Sequence, residues 1–439
     1  MQMPPCLLAL AWLLLSAAVP VAWAADEVLP LPSEGGVPGW EQHLRLLAFA
    51  TTLAPAEATR NPDNRIMQLA RYNTALHLRP DFKLSLQPLT LSLHPRVELQ
   101  GERWQEGPGA GRSQWSEEVF ILQGLGRWAC TEALQLSYGR ENLQWGPASL
   151  TSPSNPFFLD NGRANPKKEA ATMDFARAVW IPGPTASLSL VANTGAGRSE
   201  FADNRFSGAW AVKVDNNGAR EYGSLILAAG PQGGRQIGGY YGRTLSEALL
   251  VYAEGALLQD PGGWYPEPEA GPLGIAMQPP GDEDSWETVL LWGGAYTLEL
   301  GPTLSAEYLG YGPGYDRDQA EAFFDLQARA ARTLEPANAL TPLGYGALSR
   351  TADPGLRFLR RNYLLLQYLQ NDINGVLNLT LRWTQNLDDG SGRLTGIGEW
   401  SLGDHWQMFA VATANRGAAR TEFGSIFDYQ VMLGLEYTF

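Results

Sequence analysis

Tyr429-Gln-Val-Met-Leu-Gly-Leu-Glu-Tyr-Thr-Phe439 closes the sequence, and its alternation decides the fold. Tyr429, Val431, Leu433, Leu435, Tyr437 and Phe439 fall on one face, and Gln430, Met432, Gly434, Glu436 and Thr438 on the other. Strict period two marks a β-strand, because successive side chains point to opposite sides of the pleat. An apolar face with aromatics at both ends, backed by a polar or small face, suits a strand with lipid outside and water inside. A half-buried strand of a soluble sandwich shows the same pattern, so other segments must separate the two readings.

Residues 74–100 do so. Thr74, Leu76, Leu78, Pro80, Phe82, Leu84 and Leu86 share a face, opposite His77, Arg79, Asp81 and Lys83. After a tight turn at Gln87-Pro88, Leu89, Leu91, Leu93, Pro95, Val97 and Leu99 oppose Thr90, Ser92, His94, Arg96, Glu98 and Gln100. Alternating charges on two paired strands are hard to bury in a soluble core but sit easily against a water-filled lumen. A one-residue slip would turn Arg96 and Glu98 to the apolar side, so the register is strongly specified. The same grammar recurs. Leu290, Trp292, Tyr296 and Leu298 oppose Thr297 and Glu299; Leu304, Ala306 and Tyr308 oppose Ser305 and Glu307; Leu377 to Trp383 alternate with Asn378, Thr380 and Arg382.

The other end carries an address. An uncharged apolar run from Leu7 to Val21 precedes Ala22-Trp23-Ala24, a small-x-small cleavage site. The sequence predicts a signal peptide over 1–24 and one barrel domain over 25–439. The n-region lacks Lys and Arg, and Cys6 stands in no lipobox. Once the signal is removed, Cys130 is the remaining cysteine, so no internal disulfide forms. The net charge of −14 argues against nucleic-acid binding. No later stretch reaches the ~20 apolar residues of a transmembrane helix.

Counting alternating segments from about residue 41 predicts an all-β, transmembrane, antiparallel up-and-down β-barrel of about eighteen strands (16–18). Residues 41–52 also fit an amphipathic helix. With the N-terminus periplasmic, the turns at Gln87-Pro88, Gly183-Pro184, Gly301-Pro302 and Gly403-Asp404 fall on one side, and the long segments 143–172, 260–286 and 312–360 on the other. Short periplasmic turns and long extracellular loops are the outer-membrane arrangement. Within the longest loop, Asp318 to Arg332 is rich in helix formers and predicts a short helix.

The chain resembles Gram-negative outer-membrane porins and substrate-specific channels, particularly alginate-export-type barrels, in its signal, its alternating strands and its Leu433-Gly-Leu-Glu-Tyr-Thr-Phe439 ending. The resemblance implies a place in the cell outer membrane, lipid and lipopolysaccharide as surroundings, and barrel-assembly machinery that reads Phe439. One further run, Tyr138-Gly-Arg-Glu-Asn-Leu-Gln-Trp-Gly146, followed by Ser152-Pro-Ser-Asn-Pro-Phe-Phe158 and Asn161-Gly-Arg-Ala-Asn-Pro166, is similar to runs that follow a strand in porin-like barrels, and the resemblance to porins implies a long loop that folds into the lumen and narrows it. A structured external loop is the alternative. The candidate pore-lining or constriction residues are Arg79, Arg96, Glu98, Arg140, Glu141, Asn142, Trp145, Glu299, Glu307 and Arg382.

The expected function is passive passage of small polar or charged solutes, with no catalytic residue, no cofactor and no metal. The alternative is a barrel that binds a surface polymer or assembles with a partner through its outer loops and conducts little. An enzyme would need a positioned nucleophile or activated water. The four histidines offer only Asp404-His405, which lies in a tight turn. Asp282-Glu-Asp284 and Asp388-Asp389 lack calcium-loop spacing. On this reading Arg96→Ala and Arg382→Ala shift ion selectivity towards cations and leave insertion nearly unchanged.

Overall fold

The computed structural model describes residues 39–149, 151–158, 164–198, 208–230, 234–259, 262–280, 285–299 and 301–439. The expected signal segment with Cys6, Asn161-Gly-Arg163 and Asp282-Glu-Asp284 lie outside the described residues.

Eighteen strands form one closed antiparallel sheet, each paired with its sequence neighbour. They are β1 (Gly39–Pro55), β2 (Tyr72–Leu86), β3 (Leu89–Arg103), β4 (Ser113–Ala129), β5 (Leu134–Glu141), β6 (Thr172–Gly183), β7 (Ala186–Arg198), β8 (Trp210–Asn217), β9 (Glu221–Ala229), β10 (Arg235–Thr244) and β11 (Leu249–Gln259). After a small hairpin, β12 (Tyr265–Pro268) and β13 (Ile275–Gln278), the barrel continues with β14 (Trp286–Thr297), β15 (Thr303–Tyr311), β16 (Asn362–Ile373), β17 (Leu377–Asn386), β18 (Gly392–Ser401), β19 (Trp406–Arg416) and β20 (Phe427–Thr438). β1 pairs with both β2 and β20, from Arg45↔Thr438 to Ala54↔Tyr429, so no edge remains unpaired. Residues 41–52 are therefore strand, and the helical alternative falls away. Their backbone groups bond both neighbours, and Leu47 is fully buried inside.

The alternation is physical. On the terminal strand Leu433 is 58% exposed on the outer face, while inward Met432 and Glu436 are buried. Around the barrel, the exposed Leu91, Leu93, Leu190, Val214, Leu225, Leu257, Leu366, Leu381 and Leu394 form the middle of an apolar band. Exposed aromatics rim it at both heights. Trp40, Trp128, Trp180, Tyr296 and Trp406 lie towards the short turns, and Tyr72, Trp115, Trp210, Trp286 and Tyr429 towards the long loops. Such a band between aromatic girdles matches a hydrocarbon layer between two interfaces.

Short turns and long connections segregate to opposite ends, as the parity of the sequence predicts. At the long-loop end the connections fold on one another. Helix α1 (Arg317–Arg332) is the helix expected near 318–332. It begins in a capping box, Asp316 accepting from the Gln319 amide while the Gln319 side chain returns to the Asp316 N–H. Helix α2 (Thr341–Ala352) and the β12–β13 hairpin complete a cap whose core holds Ile275, Met277, Tyr315, Phe323, Phe324, Leu326 and Leu359. Arg60, from the connection after β1, donates to the Ala352 carbonyl at 2.7 Å and ties that connection to the cap. Behind it, Glu422 accepts from the Tyr363 hydroxyl (2.5 Å), the Asn386 amide (2.7 Å) and the Leu359 N–H (3.1 Å). Burial pushes the Glu422 carboxyl up from its ordinary range, against these hydrogen bonds.

Candidate functional site

The described parts of the connection between β5 and β6, residues 142–149, 151–158 and 164–171, leave the wall and lie in the barrel interior. Its two flanks differ in chemistry. Leu143, Trp145, Phe157 and Phe158 pack on inward Phe175, Val191, Ala211 and Ala228 of β6 to β9. Ala148 joins Tyr252, Val289, Leu291, Leu309, Tyr311 and Tyr363 on β11 and β14 to β16. Apolar side chains point inward over these strands because the segment covers them. These residues make a packed apolar cluster in this half of the interior, with the buried Lys213 of β8 over the Trp145 ring.

Two wall carboxylates hold this flank. Glu254, alone among apolar neighbours on β11, accepts from Ser152 Oγ (2.6 Å), Ser154 N (3.1 Å) and Ser154 Oγ (2.8 Å). A Cβ at Gly146, whose φ is +86°, would collide with the same carboxylate, so glycine lets the chain approach. Glu307 on β15 accepts from Ser149 N (2.7 Å) and the Tyr252 hydroxyl (2.5 Å). Gln236 on β10 donates to the carbonyls of Pro153 and Ser154. Glu254→Ala would leave several buried donors without an acceptor, at about 1–3 kcal/mol each. Proteolysis within 142–171 should then appear in folded barrels that are resistant in the wild type; equal resistance would deny Glu254 this anchoring role.

The other flank, 164–171, is polar and reaches the opposite wall. Lys167 Nζ lies 2.7 Å from Glu399 and 2.9 Å from Glu436, on β18 and β20. Its carbonyl accepts from Arg79 Nη2 at 2.8 Å. Glu169 takes a two-oxygen contact from Arg96 Nε at 2.7 and 2.8 Å, while Arg96 Nη1 reaches Asp81 at 2.9 Å and the carbonyls of Pro80 and Pro95. Arg96 is only 2% exposed. Arg382 on β17 holds Gln367 Oε1 at 2.7 Å and lies 3.5 Å from the Ala164 carbonyl.

The candidates from the sequence sort accordingly. Arg79, Arg96, Glu307 and Arg382 meet the inward segment. Glu98 faces the same space, 3.5 Å from His77. Glu141 is inward and buried between Arg127 (3.8 Å) and Arg177 (4.0 Å). Asn142 pins the start of the segment to the Ala171 carbonyl at 2.5 Å, and Trp145 stacks edge-on against Phe157. Two candidates need correction. Arg140 shares the strand parity of exposed Tyr138 and pairs with Asp174 at 2.7 Å on the outer side, because neighbours on a strand face opposite ways. Glu299 falls beyond the end of β14, exposed in a turn. His405 Nδ1 donates to the Thr438 carbonyl at 3.0 Å in its turn, apart from the segment.

Lys167, Glu169, Glu254 and Glu399 escaped the sequence reading. Glu254 had a signal: a single acid in Leu249-Leu-Val-Tyr-Ala-Glu-Gly-Ala-Leu-Leu-Gln259. Lys167 also stood out as one of few lysines. Among the described residues no cluster of His, Cys, Asp and Glu has the arrangement of a metal site.

Neither a protein-family model nor a curated protein matches this sequence. Solved structures do match it in fold. OccK7 (OpdD) of Pseudomonas aeruginosa superposes with a TM-score of 0.52 at 11% identity, covering 91% of this chain and 98% of that one. OccAB1 of Acinetobacter baumannii gives 0.51 at 10%, over 90% and 96%. OprD of Pseudomonas aeruginosa gives 0.50 at 10%, over 91% and 95%. These are outer-membrane porins, and the barrel described above is porin-like in architecture.

Proposed function

We propose that this barrel is an outer-membrane channel for passive movement of small polar or charged solutes. The observation that carries the reading is the inward segment. It seals one half of the interior with apolar packing and faces the other half with Lys167, Lys168 and Glu169. A cavity of about 290 Å3 remains there, between 167–171 and the inner wall of β1 to β4 and β20. A solute crossing the barrel meets fixed charge and hydrogen-bonding groups on both sides of that off-centre opening. Width and lining charge are all that such transport requires, without covalent chemistry. The long-loop end with its cap faces outwards and the short turns face the periplasm, after removal of a signal ending near Ala24.

Purified protein in a planar bilayer should give discrete unitary current steps. Stable insertion without steps would overturn the channel reading in favour of a polymer-binding barrel that uses its capped loops. The address has its own test. Phe439→Ala, or deletion of Thr438-Phe439, removes the ring packed edge-on against Tyr437 at 4.6 Å, and the deletion also removes the backbone bond from Phe439 N to the Leu44 carbonyl. It should lower the amount of heat-modifiable barrel in outer membranes several-fold, as gel-shift quantification would read. Wild-type amounts in the deletion would count against assembly through this ending.

A further inference from the structure

The wall of the remaining cavity has a composition that the segment's anchoring does not use. Gln430, Thr51, Asn73 and Gln100 stand on the four adjacent strands β20, β1, β2 and β3. Thr51 is in register with Asn73 and with Met432, next but one to Gln430, while Gln100 is in register with Ala75, next but one to Asn73. All four line the cavity, and none hydrogen-bonds through its side chain to another described residue. Below this row lie Met432, Phe49 and Phe120, whose rings give the cavity an apolar flank. Arg198 covers one face of Phe120, its guanidinium 3.7 Å from the ring centre. The fixed charges are mostly spoken for. Arg79 and Lys167 are engaged as above, and Arg198 is held by Glu118. Lys168 projects from the segment without a partner among the described residues.

We propose that this cavity is a binding station for a small neutral polyol with an apolar ring face, of monosaccharide size, a reading that rests on the channel function above. An amide offers a donor and an acceptor side by side, which suits a hydroxyl that both donates and accepts. A row of amides therefore matches a row of hydroxyls better than it matches a compact ion. The rings of Phe49 and Phe120 meet the C–H face of such a solute, where apolar area and ring geometry contribute. The ammonium of Lys168 donates to a hydroxyl or ether oxygen from the opposite side. The volume lies at the lower end of ligand pockets, which run from about 300 to 1,000 Å3, so the solute is small.

Single-channel current through the purified full-length protein, with glucose as the probe, tests this. Wild-type channels should show concentration-dependent current interruptions by glucose. The combined variant Asn73→Ala, Gln100→Ala, Gln430→Ala should weaken them by roughly tenfold or more, three hydrogen-bonding groups being lost. Normal unitary steps without glucose-dependent interruption in the wild type would overturn the proposal and leave the channel reading standing. Interruption by glucuronate alone, abolished by Lys168→Gln, would also overturn it, since the station would then select for charge. Absence of any unitary step is the separate failure of the channel reading itself.

Discussion

Arg96→Ala should unseat the inward segment and raise single-channel conductance several-fold. Arg96 sits between Glu169 of the segment and Asp81 of the wall, and is almost fully buried. Removing one member of a buried ionic group leaves the others uncompensated, at about 3–5 kcal/mol. Glu169 then gains by leaving for water, and the polar flank leaves with it. Arg96 also donates to the Pro80 carbonyl across the gap in the β2–β3 ladder, but the paired stretches on either side of that gap do not need it, so the barrel itself should still form. The checks are conductance in planar bilayers and new protease cleavage within 164–171. A mild change in ion selectivity, the outcome expected from alternation alone, would show that the Arg96–Glu169 contact does not hold the segment. Glu169→Gln in the same background should restore part of the resistance, because the stranded charge is gone.

Val97→Arg, one residue along, should instead stop assembly. Val97 is in register with Leu78 and with Val119, which is 70% exposed on the outer face. An arginine there meets hydrocarbon near mid-strand, at roughly 2–4 kcal/mol for the bilayer midplane. The amount of heat-modifiable barrel recovered from outer membranes should fall sharply, while any barrel that does form keeps wild-type conductance. The two substitutions thus fail differently, one inside a finished barrel and one before it. Normal recovery of Val97→Arg would place the lipid face elsewhere and take the inward assignment of Arg96 with it.

The barrel was legible because each strand repeats one rule. The alternating runs Leu290–Thr297, Leu304–Tyr308 and Leu377–Trp383 all lie within strands, β14, β15 and β17. What stayed hidden depends on contacts between distant parts of the chain. Helix α2, Thr-Pro-Leu-Gly-Tyr-Gly-Ala-Leu-Ser-Arg-Thr-Ala, contains Gly344 and Gly346, which lower helix propensity, while Pro342 sits in the first turn where it is tolerated; packing on α1 outweighs the glycines. The inward course of 142–171 could be suspected from its Gly, Pro and Asn content. Its anchors could not, since Glu254 and Ser154 are 100 residues apart in sequence. Arg140 is another matter. Its parity with Tyr138 was readable, and adjacent Arg140 and Glu141 cannot both face inward from one strand.

Closure of the barrel also sets an order of events. Lys167 finds Glu436 across 269 residues of sequence, and β1 finds β20 across nearly the whole described chain. Contacts this remote form late, because the chain must first give up the freedom of very long loops. The acids that grip Lys167 stand on β18 and β20, strands synthesised last. Until those strands arrive, the polar flank of the segment has only its β2, β3 and β17 partners, and the cavity beside it has no settled shape. The seam that shuts the wall therefore also fixes the inward segment, so a barrel stalled before closure should be proteolytically soft at that same place.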